Sequence, residues 1–341
     1  MFIKPRKLSA GDRVATISLS GGSAGEADMH WRYEIAKHRL HDLFGLEAVE
    51  TPNSQRGRRF IYENPRARAD DLAAALEDPS VSAVFLNQGG DDGIRITPYV
   101  DLGVIRRNPK IFMGYSDGST FTSMFQKAGV VSFYGPDVLT SLSEPVRLHD
   151  YTAKWIRKVL FRDEIIGPVD PADSWTAEPR VWSSAVEAAR KMTPNRGYEI
   201  LQGSGTVSGI LRGGCTGPMQ QMKSTKLWPE LQEWEDSIIF LEGLTPYGLE
   251  LAGLHMLRSF AATGMFRKAR GVVFAKPSEL YDESKRIILK VLRDEEGLHD
   301  LPILFNIDCG HTAPMAVMPF GVMAEIDCDN VAFSILESAV V

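Results

Sequence analysis

With 341 residues, of which 44% are hydrophobic and 24% charged, the chain can bury one large core or two smaller ones. A formal net charge of −6, with lysine and arginine scattered, argues against a grip on polymeric nucleic acid and for a small substrate. The three cysteines, Cys215, Cys309 and Cys328, lack Cys-x-x-Cys spacing, which argues against a disulfide framework or zinc knuckle, and no apolar run suits a signal peptide or a membrane span. A cytoplasmic protein without membrane contact is expected.

In chain order, the first half alternates short β-branched runs with helical patterns, as βα units around a parallel sheet do. Arg13 to Leu19 predicts a strand ending in Ser20-Gly21-Gly22, and Ala27 to Leu43 a helix. A helix over Ala67 to Leu76 leads to the strand Val81 to Leu86 and the loop Asn87-Gln88-Gly89-Gly90-Asp91-Asp92-Gly93. Lys110 to Met113, Ser119 to Lys127 and Val130 to Tyr134 read as strand, helix and strand, so this half is doubly wound. Between Asp163 and Ser204 four prolines interrupt the pattern around Trp175 and Trp182, as in a linker or functional loop. Strands then recur at Thr206 to Leu211, Ser237 to Leu241, Gly271 to Ala275 and Ile303 to Ile307. Helices are expected near Leu249 to Ala262 and Glu283 to Arg293, and a hairpin from Ala316 to Leu336 to close a second domain. The expected division is therefore 1–165, a linker and substrate loop at 166–204, and a C-terminal α/β domain at 205–341.

Between the third strand and its helix stands Gly114-Tyr115-Ser116-Asp117-Gly118, a Gly-x-Ser-x-Gly nucleophile elbow in its proper context. A sharp strand-to-helix turn holds the serine in a strained backbone geometry, and the following amide, of Asp117, can face a developing oxyanion. The bland alternative is an ordinary turn with Ser116 as a helix cap. Gly89 and Gly90 lie in the loop that follows the preceding strand, so a second oxyanion donor can come from the Gly90 amide, with Gly89 a candidate substrate contact. As a phosphate cradle this loop lacks Gly-x-Gly-x-x-Gly spacing and carries Asp91 and Asp92, which repel phosphate.

A serine hydroxyl needs a base, and His311 follows a buried-type strand directly, whereas His30, His38, His41, His149 and His299 fall on surface or loop sequence and His255 borders a helix's apolar face. Glu242 ends another apolar strand and is the candidate acid that orients the base. Each alone has a mundane reading: His311 as a loop histidine, Glu242 as a surface carboxylate. Three strand ends carrying serine, acid and histidine repeat the chain order of hydrolases on parallel sheets.

These residues resemble the LD-carboxypeptidase and microcin-immunity family of serine peptidases over nearly the whole chain. The matching pieces are Lys4-Pro5-Arg6-Lys7-Leu8 with Gly11-Asp12, Gly89-Gly90, Gly114-Tyr115-Ser116-Asp117, Gly135-Pro136, Leu241-Glu242, and Gly310-His311 with Pro314. The resemblance implies Ser116 as nucleophile, Glu242 and His311 as its partners, and amides near Gly90 and Asp117 as the oxyanion hole. It also implies a flavodoxin-like N-terminal domain joined to a mixed α/β C-terminal domain, assembled as a homodimer with the site between domains. Two departures stand out: Gly-Leu-Thr-Pro after Glu242, and Ala275-Lys276-Pro277 in place of a glycine-containing turn.

One family branch trims terminal D-alanine from murein tetrapeptides; the other cleaves an amide joining a peptide or aminoacyl group to a nucleotide-like moiety. The long segment with Trp175 and Trp182 favours the second, since an indole stacks on a purine, although such tryptophans also serve as loop anchors. No cofactor or metal is expected. The readings set against a serine hydrolase are a non-catalytic binding module, a metallohydrolase using Asp308, His311 and Asp91 or Asp92, and Cys309 as nucleophile.

Overall fold

The computed structural model describes residues 2–179, 188–244 and 250–341. The first strands are β1 (Arg13–Ile17), β2 (Glu47–Glu50), β3 (Val81–Leu86), β4 (Ile111–Gly114) and β5 (Ser132–Tyr134). They lie side by side in the order 2-1-3-4-5, all parallel, which is the flavodoxin-like arrangement. Apart from β2, these strands are almost wholly buried, because helices cover both faces of a parallel sheet. Alternation along the strand assigns the faces. Val14, Phe85 and Met113 join the core containing α1 (His30–Phe44), while Ala15, Leu86 and Phe112 face α3 (Pro65–Glu77) and α5 (Gly118–Lys127). The short α2 (Gly57–Glu63) precedes α3, and α4 (Leu102–Arg107) precedes β4.

After residue 165 the described residues form three two-residue strands, β6 (Gly167–Pro168), which joins the second sheet, and β7 (Ser174–Trp175) and β8 (Thr193–Pro194), which pair only with each other. The second sheet adds β9 (Glu199–Gln202), β10 (Thr206–Cys215), β11 (Ser237–Glu242), β12 (Gly271–Ala275), β13 (Ile303–Ile307), β15 (Met323–Asp327) and β16 (Ala332–Ile335), following β14 (Met318–Phe320) in the other sheet. Its order is 6-16-15-10-11-12-13-9, with β10, β11, β12 and β13 mutually parallel and the remaining pairings antiparallel. The architecture is thus a parallel-sheet α/β unit followed by a mixed α/β unit.

The tail differs from a single hairpin closing the second unit. Met318–Phe320 first pairs antiparallel with β5, extending the first sheet, and only then does the chain return to form the β15–β16 hairpin. Both main cores run across the two sheets: Tyr134 and Phe240 share one, Phe112 and Ile239 the other. Among the described residues no helix is long and apolar enough to cross a membrane.

Candidate active site

Parallel pairing aligns the carboxyl ends of β3 and β4 in the first sheet and of β11 and β13 in the second, and residues at or after these ends line one rim. After β4, the chain reaches Ser116 with φ of +59°, in the left-handed region. For a residue with a Cβ this costs about 1–2 kcal/mol. The turn is closed by Gly118 N–H donating to Tyr115 O and Ser119 N–H to Ser116 O. The Ser116 hydroxyl is thereby lifted out of the helix that follows.

His311, 195 residues further on, places Nε2 3.1 Å from Ser116 Oγ. Its Nδ1 lies 2.7 Å from Glu242 Oε1, and its backbone N–H also donates to that oxygen at 3.3 Å. The His311 side chain is 45% exposed and that of Glu242 only 2%, so the imidazole is open to a reactant and the carboxylate is shielded from water. Burial pushes the Glu242 pKa up, but the adjacent His311, its hydrogen bond, and those from Tyr134 and Cys215 together hold it below the usual value. The acid is therefore ionised and aimed at the base.

Gly310 makes this meeting possible. It has φ of +108°, and a Cβ there would lie 2.2 Å from Glu242 Cγ, so only glycine lets the loop pass over the acid. Gly89 plays the corresponding part beside the serine: a Cβ would lie 2.9 Å from Ser116 Cβ and 3.4 Å from the Asp117 nitrogen. Neither the Gly90 nor the Asp117 N–H donates to another described residue. The Asp117 carboxyl is buried and accepts from Ser20 Oγ, Gly93 N–H and Thr120 Oγ1, bracing the glycine loop against the turn. Burial raises its pKa despite these bonds.

An open cavity of about 480 Å³ covers this rim, lined by Gly90, Ser116, Glu242 and His311 with Gln221, Lys276 and Glu279. Trp175 lines a neighbouring hollow of about 180 Å³ that shares Lys276 to Glu279 with the first. Its ring centroid lies 5.2 Å from Lys276 Nζ, a cation–π contact that holds the indole. Trp182 lies outside the described residues.

The rival chemistries fare poorly on geometry. Asp308 is fully buried and already accepts from Ala172 N–H and Asn195 Nδ2, with Lys276 Nζ 3.4 Å away, so it does not join His311 as a ligand. The Cys309 thiol is buried, lies against Ala316 O, and is pushed well up by burial and by Glu242, which keeps it protonated. Among the described residues one set could hold a metal: Cys215, Glu242 and His311, whose ligand atoms lie within 4.8 Å of one another. Both Glu242 oxygens in that set are already held by hydrogen bonds, Oε1 by His311 Nδ1 and Oε2 by the Tyr134 hydroxyl.

Sequence reasoning did not single out two groups at this site. Tyr134 ends β5 and reaches Glu242 Oε2 with its hydroxyl at 2.7 Å; Cys215 ends β10 directly opposite Glu242 in parallel register. Strand-end position was the available signal for both, and a tyrosine or cysteine in an apolar run reads first as core.

Comparison with known proteins fits this geometry. Residues 14–135 match the LD-carboxypeptidase N-terminal domain and 208–326 the LD-carboxypeptidase C-terminal domain. The chain belongs to the LD-carboxypeptidase family. That assignment supports hydrolase activity. The microcin C7 self-immunity protein MccF of Escherichia coli is 29% identical over 280 residues, covering 80% of this chain and 78% of that one. A Bacillus subtilis protein named as a probable murein peptide carboxypeptidase is 25% identical over 331 residues, covering 95% and 91%. Among solved structures, an MccF-like protein from Streptococcus pneumoniae in complex with AMP superposes with a TM-score of 0.87 at 29% identity, covering 95% of this chain and 98% of that one.

Proposed function

We propose that this LD-carboxypeptidase-family chain is a serine hydrolase that cleaves an amide through an acyl-enzyme, with Ser116 as nucleophile, His311 as general base and Glu242 as the acid that orients it. The observation that carries the reading is the unbroken line of contacts from Ser116 Oγ to His311 Nε2 at 3.1 Å and from Nδ1 to Glu242 Oε1 at 2.7 Å. Ser116 Oγ forms a bond to the substrate carbonyl carbon while its proton passes to His311 Nε2. The oxyanion is received by the Gly90 and Asp117 amides. The C–N bond then breaks, the leaving amine takes the proton from Nε2, and water repeats the sequence to release the acid. No step requires a metal.

For substrate, we favour aminoacyl- or peptidyl-nucleotide-like compounds of the microcin type. Support comes from the relationship to the E. coli self-immunity protein and from the AMP bound to the S. pneumoniae structure at 29% identity. The Trp175 hollow adjoining the cavity is consistent with a stacked base. Removal of D-alanine from murein tetrapeptide is the second reading, favoured by the B. subtilis relative's name. The protein is taken to act in the cytoplasm as a homodimer. Incubating purified protein with aspartyl-sulfamoyl adenosine and, separately, with murein tetrapeptide tests the assignment. The expected result is release of free aspartate from the first, lowered about a millionfold in Ser116→Ala. Turnover of the tetrapeptide alone selects the second reading, and turnover of neither, despite bound nucleotide, a binding module.

A further inference from the structure

We infer that Tyr134 is a positioning residue that locks the nucleophile's turn to the acid, with its hydroxyl accepting from the Ser116 backbone and donating to Glu242. The inference rests on the hydrolase reading above and adds to it a fourth side chain.

The Ser116 N–H donates to Tyr134 Oη at 3.0 Å, and Tyr134 O–H donates to Glu242 Oε2 at 2.7 Å. A phenol has a single proton. Because an amide N–H can only donate, it occupies a lone pair of the phenol oxygen, and the phenol proton is left to point at the carboxylate. The left-handed turn at Ser116 creates the need for this bond, since it directs the amide toward the β5 side. Rotation of the ring off its target is prevented from both sheets. Phe240 packs at 5.5 Å between centroids, Phe320 stacks at 5.9 Å, and Tyr115 meets it edge-on at 6.4 Å. Tyr134 is fully buried, so both of its hydroxyl's hydrogen bonds are made away from the surface.

The consequence is electrical as well as steric. The positive end of the O–H dipole points at the Glu242–His311 pair and lowers that pair's affinity for protons. The other titratable groups facing it are Cys215 and Cys309, both kept as thiols by burial, and the buried Asp117, whose charge reaches Cys215. Burial and the nearby carboxylate also hold the Tyr134 phenol well above its usual pKa, so it stays a donor across the working range.

Tyr134→Phe keeps the ring and deletes only the hydroxyl. Its pH profile of kcat/KM, measured beside wild type and Tyr33→Phe, is the test. Tyr33 is a buried tyrosine whose hydroxyl bonds Thr16 Oγ1 at 2.8 Å, and its variant reports the general cost of losing a buried phenol oxygen. For Tyr134→Phe the plateau should fall about ten- to hundredfold. Its acid limb should move to higher pH by about half a unit to one unit, because removing the dipole raises proton affinity. Tyr33→Phe should lose stability without moving the limb. Site-specific 3-fluorotyrosine at position 134, a more acidic donor, should move the limb the opposite way and supplies the test if Tyr134→Phe does not fold. A Tyr134→Phe profile that matches wild type, or a lowered plateau with an unmoved limb, overturns the inference alone. Wild-type protein that neither turns over substrate nor reacts with a fluorophosphonate overturns the hydrolase reading and this inference with it.

Discussion

Gly310→Ala exposes the tightest steric requirement at the site. The new Cβ would lie 2.2 Å from Glu242 Cγ, 2.5 Å from Cδ and 2.8 Å from Oε1, all inside any tolerable contact. Glu242 cannot retreat, because His311 and Tyr134 hold its two oxygens and the side chain is 2% exposed. The loop must therefore lift, and His311, the next residue, moves with it from its 3.1 Å contact with Ser116 Oγ. Left-handed backbone at φ of +108° adds its own penalty to the alanine. The left-handed cost of about 1–2 kcal/mol and an overpacking cost of about 1–3 kcal/mol together give about 2–5 kcal/mol lost. A displacement of about 1 Å at the reacting groups lowers turnover about a hundredfold. Urea unfolding combined with steady-state hydrolysis reads both quantities. An alanine variant within about 0.5 kcal/mol of wild type and with undiminished turnover would refute the steric reasoning.

Glu242→Gln should keep the fold yet lower kcat by about ten-thousandfold, since an amide can fix the wrong imidazole tautomer and cannot offset the imidazolium charge; near-normal kcat would remove Glu242 from the proposed mechanism. Acid stability has a definite sign: Glu242 is held below the ordinary carboxylate pKa, so its contribution is present above about pH 4.3 and is lost as pH falls through the folded value. The stability difference between wild type and Glu242→Gln should therefore shrink as pH is lowered from about 6 to 3, by urea melts at each pH, and a difference that grows would contradict the assigned direction. Away from the triad, Arg190 donates through Nε and Nη2 to both oxygens of Glu144 at 2.6 and 2.7 Å, and both side chains are buried. Arg190→Ala should destabilise by about 3–5 kcal/mol, with much of that loss recovered when Glu144→Leu is added; equal loss in the double variant would deny the pair this role.

The rim was legible in the sequence because a buried parallel strand is a run of apolar residues and the polar residue ending it stands out. Val81–Leu86, Gly271–Ala275 and Ile303–Ile307 fall at the bounds their patterns predict, and Ser116, Glu242 and His311 sit just beyond or at such ends. Elements with weaker contrast were missed. Glu47–Glu50 reads Glu-Ala-Val-Glu, an edge strand whose charges hide its period, and Met318–Phe320 is too short to reveal that it joins the other sheet. Strand Thr206–Cys215 runs past its expected end at Leu211 through two glycines, which obscured the arrival of Cys215 opposite Glu242. The Tyr134 contact is beyond any local pattern, since its partner Glu242 is 108 residues away and the phenol oxygen is directed by packing from Phe240 and Phe320.

The most direct measurement of the central claim is reaction with a fluorophosphonate, followed by intact mass and peptide mapping. A single adduct on Ser116 is predicted, absent in Ser116→Ala and formed far more slowly in His311→Ala. An adduct on another residue, or undiminished hydrolysis by Ser116→Ala, would contradict it.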